Sequence, residues 1–276
     1  YRPVIEEPLP TLIFHHGSTG SGRDPARFDA FQSFEPVVTH FVRRGFAVIL
    51  PSRRGRGGSE GLYDEGFRPS RDEGYACASR YSLPGAERAL TDLDAITDAV
   101  LAMPFVDETQ LVVGGVSRGG ILSVAHAGRH PDRYRGVLNF VGGWVGERCD
   151  EAISVNQTLF RMGVPRAGET LWLYADQDPT YSLAHSKASF AAFRGAGGNG
   201  SASVPNADGG AGGKGRVEII YFDSAATPTT SPASTRKATT IPAEKASPSC
   251  RTRSRSSPAW ETKPSTLSEI TGSTQG

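Results

Sequence analysis

The chain has 276 residues, enough for one α/β domain or two small ones, and its 30 basic and 29 acidic residues leave a net charge of +1. A balance this close to neutrality argues against nucleic acid or an anionic membrane as a partner. No apolar run reaches the length of a membrane span, so we expect no membrane association. The first residue is Tyr1 rather than Met, which suggests a processed or truncated start and leaves the compartment open, with the cytoplasm slightly favoured.

Strand-like and helix-like segments alternate along the first 222 residues. The predicted strands are 11–15, 46–50, 111–115, 137–141, 171–175 and 217–222. The predicted helices are 35–44, 84–103, the segment after residue 119, and 181–194, with a Gly- and Arg-rich loop at 51–61. This alternation predicts right-handed βαβ units, and therefore a mostly parallel sheet with helices on both faces.

The composition changes in the last part of the chain. Residues 195–215 are rich in Gly, Ala, Asn and Ser and are predicted to form a flexible loop. Residues 223–276 are a low-complexity segment of Ser, Thr, Pro, Ala and Arg, which we expect to be disordered. We therefore predict an α/β domain over residues 1–222 followed by a tail at 223–276. The basic run 251–255 is better explained as a solvated charge run than as an RNA contact.

The three cysteines, Cys77, Cys149 and Cys250, lie far apart in the sequence. Their spacing matches no metal site, and their odd number suggests no disulfide framework. We therefore expect buried or idle thiols. The sequence also predicts no bound metal and no cofactor.

A short apolar run at 111–116 ends in the pattern Gly115-x-Ser117-x-Gly119, and a helix-like segment follows. Strand, sharp turn and helix are the setting in which this pattern forms a nucleophile elbow, with the serine held in a strained conformation at the start of the helix. Glycine is common in this chain, so the pattern alone is weak and its context carries the prediction. The alternative is an ordinary structural turn.

Acyl transfer by Ser117 also needs donors for the oxyanion, an acid and a base. The small residues after the first strand could turn the N–H of Ser18 toward Ser117, and the N–H of Arg118 would be the second donor. The alternative for this loop is a common Gly-rich βα turn.

The triad acid should follow a later strand, and Asp178 fits that place, with Asp176 in reserve. Either carboxylate could instead cap the helix that begins near Ser182. The base is harder to place, because no histidine follows His185 in the sequence. His16 could approach Ser117, although a histidine there more often supports the loop through hydrogen bonds. His185 is expected on a solvated helix face.

His126 and His130 fall on the far half of the helix that follows Ser117, where they are poorly placed to act as its base.

Five separated motifs now point to a family. They are 14–20, 51–61, 115–119, 142–144 and 176–182. Together they resemble α/β-hydrolases of the dienelactone hydrolase and prolyl oligopeptidase-like group over roughly residues 9–195, in the order that the family shows.

The resemblance implies the α/β-hydrolase fold and a Ser–Asp–His hydrolase acting on esters or, less often, on peptide bonds. Ser117 would be its nucleophile and Asp178 its acid. Trp144 and Tyr181 would lie near the acyl or leaving-group pocket, and we add His16 to these candidate substrate-binding residues.

The chain also departs from this family. A Gly-His turn and a closing helix should follow the last strand, but residues 223–276 contain no histidine. Their composition suggests that the reading frame of the gene shifts near Asp223. The family also usually has strands before the one that leads into the loop at 14–20, and here that strand is the first. The fold is therefore expected to be incomplete at both ends.

We predict a serine hydrolase of small carboxylic esters. One alternative is an impaired homologue that lacks the base, whether truncated, frame-shifted or kept as a binding scaffold. A second alternative is a serine peptidase of the prolyl oligopeptidase type. The oligomeric state is left open.

Overall fold

The computed structural model describes residues 1–4, 7–166, 168–175 and 178–203. The strands are β1 (Leu9–His15), β2 (Ala47–Ile49), β3 (Val106–Val116), β4 (Gly136–Phe140), β5 (Thr170–Leu173) and β6 (Gly200–Ser203). The helices are α1 (Glu35–Val42), α2 (Ser79–Leu101), α3 (Arg118–Arg129), α4 (Ala152–Arg161) and α5 (Leu183–Gly195). All six strands pair in parallel in the order β2-β1-β3-β4-β5-β6, which confirms the predicted parallel sheet.

Helices cover both faces of the sheet. Successive residues of a strand point to opposite faces, so one strand contributes side chains to both apolar layers. Leu111 and Val113 of β3 are wholly buried in the larger apolar cluster, which also contains side chains of α2, α3, α4 and α5. Val112, between them, packs with α1 in the smaller cluster, where Phe14 and Val38 are buried. None of the helices that the structure describes is long and apolar enough to cross a membrane.

Helix α2 begins at Ser79, so the predicted start at Pro84 was wrong. Proline lacks the N–H that would bond back to the preceding turn, which normally favours a position near the helix start. Here tertiary contacts compensate for the lost bond. The N–H of Ser79 donates to the Glu151 carboxylate over 3.1 Å, and Gly85 packs directly against the backbone of Gly66.

Helix α4 was not predicted from the sequence. Its buried residues are Ala152, Val155, Asn156, Leu159 and Phe160. They recur at helical spacing, so the periodic signal exists. A buried Asn in the middle of the apolar face obscured it.

Strand β6 corrects part of the predicted loop at 195–215. Gly200 pairs with Thr170 of β5, and the next three residues continue this parallel register. Backbone pairing requires no large side chains, so composition did not reveal the strand. The predicted strand at 217–222 and the tail at 223–276 lie outside the described residues, and the domain boundary between them stays a prediction.

Cys77 and Cys149 form a disulfide, with their Cα atoms 5.2 Å apart. The expectation of idle thiols was therefore wrong for these two residues. They are separated by 72 positions in the sequence, so only the fold brings them together. The bridge ties the segment that leads into α2 to the segment that leads into α4. Cys250 lies outside the described residues.

Candidate active site

Ser117 occupies the sharp turn between β3 and α3, at the carboxyl edge of the sheet. Its backbone is strained, with φ 54° and ψ −120°. The N–H of Ser117 donates to the Phe140 carbonyl over 2.9 Å, and its own carbonyl accepts from Gly143 N–H over 3.2 Å. These bonds hold a conformation that a non-glycine residue otherwise avoids, and such strain is concentrated at functional sites. The side chain is partly exposed.

The glycines on either side of Ser117 allow the turn to pack tightly. A Cβ on Gly119 would lie 2.1 Å from the His15 carbonyl oxygen, and one on Gly115 would lie 2.5 Å from the Gly119 carbonyl carbon. Any side chain at either position would therefore force the first turn of α3 away from β1. The Gly-x-Ser-x-Gly pattern is thus explained by the space that is available.

The loop after β1 reaches Ser117, as the sequence predicted for 14–20. A Cβ on Gly17 would lie 3.1 Å from the Ser117 Cβ and 3.7 Å from its Oγ. The Gly17 carbonyl points to His16 Nδ1 at 2.8 Å and Arg56 Nη1 at 3.4 Å. In a trans peptide the carbonyl and the following N–H point in opposite directions. The N–H of Ser18 is therefore directed away from those two side chains.

Both ring nitrogens of His16 are engaged by the backbone. Nε2 accepts from the N–H of Arg53 over 3.2 Å, which leaves Nδ1 as the N–H donor to Gly17. Burial lowers the pKa of His16 to about 3, and the charge of Arg53 adds to this effect. The imidazole is neutral at pH 7, and neither nitrogen faces Ser117.

Arg118, the residue after Ser117, starts α3, so its backbone N–H has no acceptor within the helix. Its guanidinium turns away into a buried cage. It stacks between the rings of Tyr75, at 3.8 Å, and Trp144, at 4.3 Å. It also donates to the backbone carbonyls of Trp144, over 3.0 Å, and of Glu65, over 2.7 Å.

Glu65 is the buried counter-charge of this cage. Its carboxylate accepts from Arg53 Nε over 2.5 Å and from the Tyr63 hydroxyl over 3.0 Å, and it lies 3.5 Å from Arg118. Burial by itself raises the pKa of Glu65, but the charges of Arg53 and Arg118 outweigh it and lower the pKa to about 2. Sequence reasoning missed Glu65, because no local pattern marks a buried carboxylate whose partners lie far along the chain.

Tyr181 closes the other side of the turn at Ser117. Its hydroxyl lies close to the side chain of Ser117, and its ring lies so close to Gly143 that a Cβ there would be 2.3 Å from Cζ. Burial raises the pKa of Tyr181 to about 12. The phenol is therefore neutral at pH 7 and is not a base for Ser117. Trp144 is also buried, at 2 % exposure, where it forms one wall of the Arg118 cage.

Asp178 lies just past β5, beside the segment that carries Tyr181. Its Oδ1 accepts from the N–H groups of Thr180, over 2.7 Å, and Tyr181, over 2.8 Å. The carboxylate thus holds the turn that delivers the tyrosine to Ser117, while helix α5 is capped by Ser182. Asp176 lies outside the described residues.

All six histidines of the chain are described, and none of them hydrogen-bonds to Ser117 or Asp178 in the described residues. His185 bonds to Asn156 over 3.0 Å, and the Nε2 atoms of His126 and His130 lie 3.0 Å and 2.7 Å from Asp94 Oδ1. His15 is wholly buried, with no hydrogen-bond partner for its ring in the described part of the chain. His40 lies on α1, with its ring centroid 5.2 Å from that of Phe41.

A parallel sheet with a strained serine between strand and helix, faced by a Gly-rich loop from the neighbouring strand, defines the α/β-hydrolase class. The family described as alpha/beta hydrolase fold matches residues 10–158, more than half of the chain. The chain belongs to the α/β-hydrolase family. No curated protein matches it significantly in sequence.

Solved structures agree on the fold. An acetyl xylan esterase from Paenibacillus sp. R4 is 18% identical, with a TM-score of 0.53 over 74% of this chain and 70% of that one. Esterase PE8 is 16% identical, with a TM-score of 0.52 over 74% of this chain and 86% of that one. An acylaminoacyl peptidase is 16% identical, with a TM-score of 0.50, over 74% of this chain but 33% of its own. Since esterases and a peptidase share this fold, the fold does not decide the substrate.

Proposed function

We propose that this protein is a serine hydrolase of carboxylic esters and that Ser117 is its nucleophile. The observation that carries the proposal is the strained Ser117 backbone, with φ 54°, at the first turn of α3 and against the loop at Gly17. Such a nucleophile elbow presents the hydroxyl at the positive end of a helix, above the edge of the sheet. The hydroxyl would attack the ester carbonyl, release the alcohol and leave an acyl-serine for water to hydrolyse.

The N–H groups of Ser18 and Arg118 would hold the oxyanion of the tetrahedral intermediate. His16 and Arg56 hold the Gly17 carbonyl, so the N–H of Ser18 points away from those two side chains and would be free to face Ser117. The Arg118 cage fixes the start of α3, and with it the second N–H. Donors that are fixed before the reaction stabilise developing charge without reorganisation, and each contributes up to about 10²–10³ in rate.

His16 is thus assigned to positioning the oxyanion donor rather than to accepting a proton. Tyr181, whose hydroxyl lies close to the Ser117 side chain, would bound the acyl side of the site, and Trp144 would support it from the Arg118 cage. Asp178 remains the proposed triad acid, since it follows β5 at the sheet edge where such acids are found. Its Oδ1 is already used by the turn that it holds, so it would orient a base through its other oxygen.

A second candidate follows from the histidines. Since no histidine bonds to Ser117 in the described residues, the chain could be a hydrolase homologue without its base. Loss of the base costs roughly 10⁴–10⁶ in turnover, while the oxyanion site and binding retain roughly 10³–10⁴ over water. The two candidates therefore differ in rate and share the same acyl-serine chemistry.

Burst-phase hydrolysis of a short activated ester by the purified chain would test the proposal, with Ser117→Ala as its matched control. A burst that disappears in Ser117→Ala supports an activated serine. Added imidazole separates the two candidates, because it can replace a missing base. A rate that imidazole raises only when Ser117 is present supports the impaired homologue. Equal rates for both proteins in all conditions would overturn acyl transfer through Ser117.

An activated anilide of the same acyl group tests the remaining alternative, a peptidase of the prolyl oligopeptidase type. Cleavage of the anilide at a rate comparable to the ester, dependent on Ser117, would favour the peptidase. Ester cleavage alone would favour the esterase.

A further inference from the structure

Three metal-binding side chains converge between α2 and α3, at the end of α3 that is remote from Ser117. His126 Nε2 lies 3.0 Å from Asp94 Oδ1, and His130 Nε2 lies 2.7 Å from the same oxygen. The three donor atoms all lie within 4.8 Å of one another. Two imidazoles thus point their outer nitrogens at one carboxylate oxygen.

The helix spacing explains the convergence. His126 lies in the last turn of α3, and His130, four residues on, is the residue that caps its C-terminal end, so their side chains lie about one turn apart. Asp94 lies on the neighbouring helix α2 and supplies the third ligand. Zn²⁺ binds imidazole and carboxylate ligands at about 2.0–2.2 Å in a tetrahedron, which sets the donors roughly 3.3 Å apart. Each imidazole nitrogen needs to move from the Asp94 oxygen by only a few tenths of an ångström to admit such an ion.

A chain of hydrogen bonds indicates which nitrogen of His126 carries its proton. The Thr97 hydroxyl lies 2.8 Å from the Leu93 carbonyl, which can only accept, and 3.1 Å from the Tyr134 hydroxyl. With its proton directed to Leu93, Thr97 accepts from Tyr134. The Tyr134 oxygen, 3.0 Å from His126 Nδ1, then accepts from that nitrogen.

With its proton on Nδ1, His126 directs the lone pair of Nε2 at the oxygen of Asp94. Two acceptors that face each other at hydrogen-bond distance need a positive charge between them. A metal ion supplies that charge, and an imidazole that donates its other N–H is the usual arrangement of a histidine ligand. The Tyr134 hydroxyl fills that supporting role.

We infer that Asp94, His126 and His130 form a binding site for a divalent transition-metal ion, with Zn²⁺ the best match to two imidazoles and a carboxylate. The side chains of Asp94 and His130 are 39% and 29% exposed, so an ion can enter from solvent and a water can complete the tetrahedron. No metal site was predicted from the sequence, because Asp94 lies 32 positions before His126 and no short motif joins them.

The ion is structural rather than catalytic. His126 follows Ser117 by nine residues, so the site lies about 13 Å along the axis of α3 from the nucleophile. A bound ion links α2 to α3 and stabilises the folded chain in proportion to its occupancy. This inference is independent of the proposed function, since it requires nothing of Ser117.

Calorimetric titration of the metal-stripped full chain with Zn²⁺ alone, together with its thermal unfolding, tests the site. We expect one saturable equivalent and a rise in Tm with Zn²⁺. His130→Gln and Asp94→Asn, at partly exposed positions, should each weaken binding by about ten-fold or more and reduce the rise in Tm at a given Zn²⁺ concentration. Tyr134→Phe keeps the ring and removes the supporting hydroxyl, so it should weaken binding by roughly ten-fold.

His40→Gln is the matched control, because it removes a histidine on α1 and should leave binding unchanged. Unfolding temperatures without Zn²⁺ report whether each variant is folded. Absence of saturable Zn²⁺ binding by the unmodified chain would overturn the inference and leave the cluster as a hydrogen-bonded ion pair. Equal affinity in the unmodified chain, His130→Gln and Asp94→Asn would also overturn it, since the ion would then be bound elsewhere.

Discussion

The Nδ1 atom of His16 lies 2.8 Å from the carbonyl oxygen of Gly17, the residue against which Ser117 packs. This contact fixes the plane of the peptide between Gly17 and Ser18. A histidine next to a serine nucleophile is easily taken for its base. Here its nitrogens bond to Gly17 and to the backbone of Arg53, so in the proposed mechanism it would act only through the orientation of the Ser18 N–H group.

His16→Ala should lower the rate of acylation at Ser117 by up to about 10²-fold, because the Gly17 peptide loses its nearer anchor and the Ser18 donor loses its direction. The measurement is the burst rate with an activated ester, with and without imidazole. His40→Gln serves as the control, since it lies on α1. If His16 were a base, imidazole would restore the rate of His16→Ala. We expect no such rescue.

Glu65→Gln should reduce the free energy of unfolding by about 3–5 kcal/mol, because it leaves the buried guanidinium of Arg53 without its counter-charge. Urea unfolding at pH 7 measures this loss. Glu73→Gln is the matched control, since Glu73 pairs with Arg68 at the surface and is 55% exposed. A surface pair contributes about 0–1 kcal/mol. Similar losses in the two variants would contradict the structural role of Glu65.

The protein should lose stability in acid, beginning below about pH 6.5. The pKa of His16 is lowered from 6.5 to about 3, and burial also holds the pKa of His15 well below 6.5. Between the lowered and the ordinary pKa, the unfolded chain binds protons that the folded chain does not, so the free energy of unfolding decreases as pH falls. Glu65, with its pKa lowered from 4.5 to about 2, adds a second loss of the same sign below pH 4.5.

Urea unfolding at intervals from pH 7.5 to pH 4.5 would measure this acid dependence, within a window where Glu65 contributes little. His16→Gln should reduce the slope over that window, because it removes one of the two buried titrating histidines and leaves His15. His40→Gln should leave most of it in place. A flat profile in the unmodified chain would contradict buried, neutral histidines.

Local sequence determined what could be predicted of this protein. The strained turn at Ser117 follows from two glycines, an apolar strand and a helix within about ten residues, and the space around Gly115 and Gly119 explains the pattern. The parallel sheet follows from alternating segments in the same way. Each of these features depends on residues that are neighbours in the chain, which a periodicity or a motif can detect.

What could not be predicted depends on distant pairings. Glu65 has no signature until the fold sets it against Arg53 and Arg118, and Asp94 has none until α2 lies beside α3. The start of α2 was missed for the same reason, because the contact of Ser79 with Glu151 compensates for Pro84 inside the helix. His16 was identified from sequence, but the choice between base and support depended on which backbone groups its two nitrogens meet.

The disulfide between Cys77 and Cys149 is expected to stabilise the fold strongly. It closes a loop of 72 positions, and restricting a loop of that length in the unfolded chain is worth roughly 4 kcal/mol. Cys77→Ser with Cys149→Ser should therefore lower the free energy of unfolding by about that amount in urea, and reduction of the unmodified chain should have the same effect. Cys250→Ser is the control and should change neither value. Stability that is insensitive to both reduction and the paired substitution would show that the bridge is absent in solution.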